Sequence, residues 1–178
     1  RMYIKFKKMR EIVERIVERL NNIEKEHFYK DYLNEKQSYN YISEFIKYLF
    51  AEEGRLSGYE SAAHRNRYIN NCKYDEGEWM FDFIWYKMSD TDNQIMTDVP
   101  LVLESELSGK ELKDLKVDFD KLLVATSSTK IFVTTIHNID KKIIYIQKAI
   151  NSFNNFKINI SKKILSRYPY VCVSVVEM

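Results

Sequence analysis

Trp79-Met-Phe-Asp-Phe-Ile-Trp-Tyr86 and Val99-Pro-Leu-Val-Leu-Glu-Ser-Glu-Leu107 decide how this chain is read. Both runs are rich in the β-branched and aromatic residues that fill strands. The intervening Lys87-Met-Ser-Asp-Thr-Asp-Asn-Gln94 is polar and reads as a hairpin loop, so the two strands are neighbours. Acids lie inside both runs: Asp82 in the first, Glu104 and Glu106 in the second. A carboxylate in a strand interior is costly unless something compensates it. Strand side chains have period two, which puts Glu104 and Glu106 on one face, roughly 7 Å apart along the strand. Asp82 on the neighbouring strand can join them. Three converging carboxylates repel each other unless a cation sits between them.

Outward from this pair, the pattern alternates between helix and strand. Leu112, Leu115, Phe119, Leu122 and Leu123 form one stripe of a helix over 111–126. Residues 130–136 read as a β-branched strand, 139–155 as a helix, and 170–176 as a continuous apolar strand buried on both faces. Upstream, Ile42, Phe45, Ile46 and Leu49 define a helix over 41–53 that stops at Gly54, and 59–71 reads as a third, short helix. Val13, Ile16, Val17, Leu20 and Ile23 recur at helical spacing over 7–27. That helix either packs on its own domain or serves as a dimerisation or partner helix. The expected order is helix, helix, β, β, α, β, α, β, an α/β layered fold. The expected division is an N-terminal helical extension over 1–40, packed on the core, and one core domain over 41–178.

The acids and their order resemble the PD-(D/E)XK nuclease superfamily, the restriction-endonuclease-like fold. In that family an Asp ends one strand, Glu-x-Lys lies on the next, and a helix crosses back to a further strand. The similar stretch runs from about Trp79 to Thr135. Phe81 stands where the family has Pro, and Glu106 fills the Lys slot. Lys121, in Asp118-Phe-Asp-Lys121, is the counterpart of a Lys moved to the following helix. The resemblance implies an α-β-β-β-α-β core, a mixed sheet flanked by helices. Its first strand falls at 55–58 or 73–77. It implies Mg²⁺ or Mn²⁺ on Asp82, Glu104 and Glu106, which lowers the pKa of a bound water and offsets charge on a phosphate. Lys121 would stabilise charge on the scissile phosphate. An acid from an earlier helix, Glu44 or Glu60, would complete such a site. The implied function is hydrolysis of phosphodiester bonds, in DNA. The alternative is an inactive member of the fold that binds nucleic acid or protein. A helical-arm interaction protein built on 7–27 is a third expectation, and a homodimer a further one.

The 178 residues fit a domain with a sizeable core, and 45% hydrophobic with 30% charged residues excludes a disordered chain. A net charge of +2 carries no global nucleic-acid signal, so such a surface must come from local clustering, as in His64-Arg-Asn-Arg67. Cys72 and Cys172 form neither a Zn spacing nor a disulfide framework, and Cys172 reads as a small core residue. His137-Asn138 reads as a strand-to-helix turn, and Asp118 and Asp120 as helix-surface acids. No apolar run approaches the roughly 20 residues of a membrane span, and the N-terminus has no apolar signal core, so the expected location is cytoplasmic. The abundance of Lys, Ile, Asn and Tyr points to an AT-rich bacterial source.

Overall fold

A computed structural model describes residues 2–26, 30, 34, 39–63, 80–92, 95–107, 112–135, 138–152, 159–165 and 171–177. The elements are α1 (Met2–Asn21), a 3-10 turn (Ile23–Lys25), α2 (Tyr39–Leu56), β1 (Glu60–Ala63), β2 (Phe83–Met88), β3 (Met96–Glu106), α3 (Leu112–Val124), β4 (Thr129–Thr135), α4 (Ile139–Ser152), β5 (Asn159–Leu165) and β6 (Val171–Glu177). They form an α/β fold around one mixed sheet of order β1-β2-β3-β4-β6-β5. β1, β2 and β3 are an antiparallel meander. β3 and β4 are parallel and joined through α3. β6 and β5 continue antiparallel beyond β4.

Strand alternation sends side chains to two separate cores. Phe83, Trp85, Leu101, Leu103, Ile131 and Val133 pack with α1 and α2 on one face. Ile84, Tyr86, Val102 and Phe132 pack with α3 and α4 on the other. The apolar stripe of α1 (Ile12, Val13, Ile16, Val17, Leu20) is buried in the first of these cores, together with Ile23 of the 3-10 turn. The stripe therefore serves the chain's own packing, the first of the two roles expected for this helix. Two ion pairs pin α1 to α2: Arg15 forks onto Glu53 at 3.2 and 2.6 Å, and Arg19 reaches Glu52 at 2.6 Å.

Several expected boundaries move. α2 does not stop at Gly54 but runs on to Leu56. Gly54 is there for clearance, since a Cβ would lie 2.5 Å from Trp85 Nε1. The true stop is Gly58, at φ +79°. There Tyr59 N–H donates to the Gly54 carbonyl at 2.9 Å and Gly58 N–H to that of Arg55 at 3.1 Å, the paired bonds of a Schellman end. The helix expected over 59–71 is instead strand β1 at its described start, Glu60–Ala63. β1 is thus the first meander strand, at neither of its two expected positions. β5 was not expected at all. The helix over 139–155 ends at Ser152 in the described residues. Asn138 takes φ 53° just before α4, a left-handed backbone that Asn tolerates well. His64–Arg67, Cys72 and His137 lie outside the described residues, and Cys172 is described only by its backbone in β6. Among the described residues, no helix is long and apolar enough to cross a membrane.

Candidate functional site

β3 carries Glu104, Ser105 and Glu106 to the C-terminal end of the parallel β3–β4 pair, a favoured place for ligand sites in α/β sheets. The pleat divides them. Val102 belongs to the α3/α4 core, so Glu104 and Glu106 share that face. Ser105 faces α2, where its Oγ lies 2.9 Å from Ser43 Oγ.

Asp82 sits one residue before β2 rather than inside a strand. The last β2–β3 pairing is Phe83 with Leu103. Beyond it the Asp82 carboxylate continues the ladder in place of backbone. Its Oδ2 accepts Ser105 N–H at 3.0 Å and Ser105 Oγ–H at 2.7 Å. Lys47, on α2, brings its ammonium to 3.7 Å from the same oxygen.

Glu104 is 1% exposed, and its Oε1 has no hydrogen-bond partner. Burial, then the charge of Asp82, pushes its carboxyl up to about 8, against the smaller opposing pull of Lys121. Lys121 Nζ lies 3.6 Å from Glu104 Oε1, too far for a hydrogen bond. Lys121 is held instead by Asp118 Oδ1 at 2.8 Å. Desolvation pulls the Lys121 ammonium down, but the hydrogen bond to Asp118 and the charges of Glu104, Asp118 and Asp82 leave it raised overall.

The structure thus brings Asp82, Glu104 and Lys121 into one electrostatic cluster. Glu106 is half-buried on the same face as Glu104, beside Thr134 of β4. Among the described residues, no three His, Cys, Asp or Glu side chains gather closely enough to hold a metal ion. The expected convergence of Asp82, Glu104 and Glu106 is therefore not formed as a three-acid cage. Asp82 is engaged instead by the Ser105 amide and hydroxyl, through two hydrogen bonds to its Oδ2. Asp118 and Asp120 were expected as surface acids. Both are half-buried and engaged, Asp118 with Lys121 and Asp120 with the Tyr145 hydroxyl at 3.1 Å. Glu60 is no helix acid. It lies on β1, opposite Tyr86 of β2, and accepts the Tyr86 hydroxyl at 3.0 Å. Glu44 is half-buried on the α2 turn that carries Ser43.

Of the three buried lysines among the described residues, Lys47, Lys130 and Lys142, two bear on the site and were missed. Lys47 interrupts the apolar face of α2, and Ser43 precedes it by one turn, which is the only trace of this pairing in the sequence. Lys142 of α4 donates to Thr134 Oγ1, Thr135 O and Thr135 Oγ1 at 2.9–3.1 Å, at the end of β4 and next to the strand position of Glu106.

Mg²⁺ commonly takes one or two protein carboxylates and fills its remaining positions with water and substrate phosphate oxygens. Asp82 and Glu104 meet that number, and Glu104 Oε1 is a buried acceptor without a hydrogen bond, paired only electrostatically with Lys121 at 3.6 Å. Comparison of the chain with protein-family models, curated proteins and solved structures gave no match.

Proposed function

We propose that the chain is a Mg²⁺-dependent nuclease of restriction-endonuclease-like fold that hydrolyses phosphodiester bonds in DNA. The observation that carries this is the buried Oε1 of Glu104, which has no hydrogen bond, feels the charge of Asp82 and has the Lys121 ammonium 3.6 Å away. The run α2-β1-β2-β3-α3-β4 has the α-β-β-β-α-β order that such a core requires. Asp82 and Glu104 would hold the ion, with Glu106 at the rim. The ion would supply a more acidic bound water and a counter-charge for the phosphate.

The chain's own residues would do the rest. Ser105 orients Asp82 through its two hydrogen bonds. Asp118 holds Lys121, whose side chain is 39% exposed, so that its ammonium can meet a phosphate oxygen. The low-dielectric wall around Glu104 strengthens each of these charges.

A second reading is a binding module of the same fold without catalysis. It is favoured by the absence of a three-acid cage among the described residues. Supercoiled DNA separates the two. The nuclease should nick it with Mg²⁺, lose that activity in EDTA, and lose it again in Asp82→Asn or Glu104→Gln. Equal cleavage by wild type and Glu104→Gln overturns the nuclease reading. DNA retention that survives EDTA, without cleavage, supports the binding module.

A further inference from the structure

Lys47 reaches Asp82 from the side of the sheet opposite Glu104. Its side chain is 8% exposed, and its ammonium lies 3.7 Å from Asp82 Oδ2. Ser105 donates its one hydroxyl proton to that oxygen, so Ser43, 2.9 Å away, is the donor to Ser105 Oγ. A directed chain therefore runs from Ser43 through Ser105 to Asp82. These contacts all fall on Oδ2, and Oδ1 takes part in none of them. Across β3, Lys121 stands 3.6 Å from Glu104 Oε1, which has no hydrogen bond. Asp82 and Glu104 are thus flanked by two ammonium groups, one from α2 and one from α3.

A buried cation is screened far less than a surface one, so it acts strongly on any second cation nearby. We propose that Lys47 is the resident counter-cation of Asp82: it balances that carboxylate in the metal-free protein, and a divalent ion must bind at Asp82 and Glu104 against its field. Lys47 is then a positioning residue that sets the metal affinity of the site without touching the metal or the DNA. The inference rests on the metal-binding reading above.

Mn²⁺ titration of the full chain, followed by electron paramagnetic resonance, tests it. Lys47→Met keeps the stem and removes the charge, so it should bind Mn²⁺ about tenfold tighter than wild type. Lys47→Arg restores the charge and should return the affinity to near the wild-type value. A role confined to packing would move neither. Metal-free melting gives a second test. Asp82→Asn strands the Lys47 charge and should lower the melting temperature, and the Lys47→Met/Asp82→Asn double variant should recover much of that loss.

The outcomes are separable. If wild type binds Mn²⁺ and Lys47→Met binds equally or more weakly, the counter-cation role is overturned while the metal site stands. If neither binds Mn²⁺, the metal site fails and this inference with it. If Lys47→Met alone does not fold, the melting pair decides. A double variant no more stable than Asp82→Asn overturns the proposal, and a recovery supports it.

Discussion

The Lys121 ammonium stops 3.6 Å from the buried Oε1 of Glu104. The gap leaves an ionisable oxygen inside the protein without a hydrogen bond, a costly arrangement that folding by itself does not explain.

Glu104 should make stability depend on pH. Its carboxyl titrates at about 8 in the folded chain, against an ordinary 4.5. Between these values the folded state holds a proton that the unfolded state has released. The stabilisation is fully present below about pH 4.5 and is lost as pH rises through about 8. Glu104→Gln cannot ionise, so its urea-unfolding free energy should vary less over pH 5–9. At pH 9 it should exceed wild type by on the order of 2 kcal/mol, a discounted fraction of the full shift at about 1.4 kcal/mol per unit. Parallel pH profiles for the two proteins would remove the case for a carboxyl held neutral by burial.

Metal should stabilise the folded chain. Mn²⁺ at ten times its Kd should add about 1.4 kcal/mol, because the ion binds only the native state. For a chain of this size that is a rise of roughly 3–5 °C in melting temperature. Glu104→Gln should abolish the rise. Identical wild-type melting curves in millimolar Mn²⁺ and in EDTA would contradict the site.

Lys121→Ala should separate catalysis from metal binding. The side chain is partly exposed and acts on the phosphate in the proposed chemistry. Its loss should lower DNA cleavage by about 10²-fold while Mn²⁺ affinity stays within a few-fold of wild type. Single-turnover cleavage and Mn²⁺ titration on the same preparation check this. Unchanged turnover would take Lys121 out of the mechanism.

Gly54→Ala should destabilise the fold although alanine is the better helix former. The new Cβ would meet the Trp85 indole at 2.5–2.9 Å. That ring cannot easily retreat. It is fully buried, donates to the Phe50 carbonyl at 2.8 Å and stacks on Tyr59 at 5.6 Å. A loss of about 1–3 kcal/mol is expected from overpacking. A variant that melts at or above wild type would show that the indole can shift.

Much of the architecture was legible in the chain itself. The 3.6-residue stripes of α1, α2 and α3 and the apolar runs of β2, β3, β4 and β6 are local signals, and these elements and α4 lie near their expected places. The acids of β3 were legible for the same reason, since a charge inside an apolar run stands out in one dimension. Period two also fixed which of Glu104, Ser105 and Glu106 share a face.

Tertiary contacts decided the rest. Glu60-Ser-Ala-Ala63 has little β propensity of its own and becomes a strand by pairing with Phe83–Tyr86. Asp82 reads as part of a strand, yet it leaves the ladder because Ser105 offers it two donors from a distant segment. Lys47 reads as an ordinary helix lysine, and only the packing of α2 over the end of β3 buries it against Asp82. The physical reason is common to all three. Propensity and periodicity act over a few neighbouring residues, whereas burial, desolvation and charge pairing depend on segments that meet only when the sheet closes under its helices.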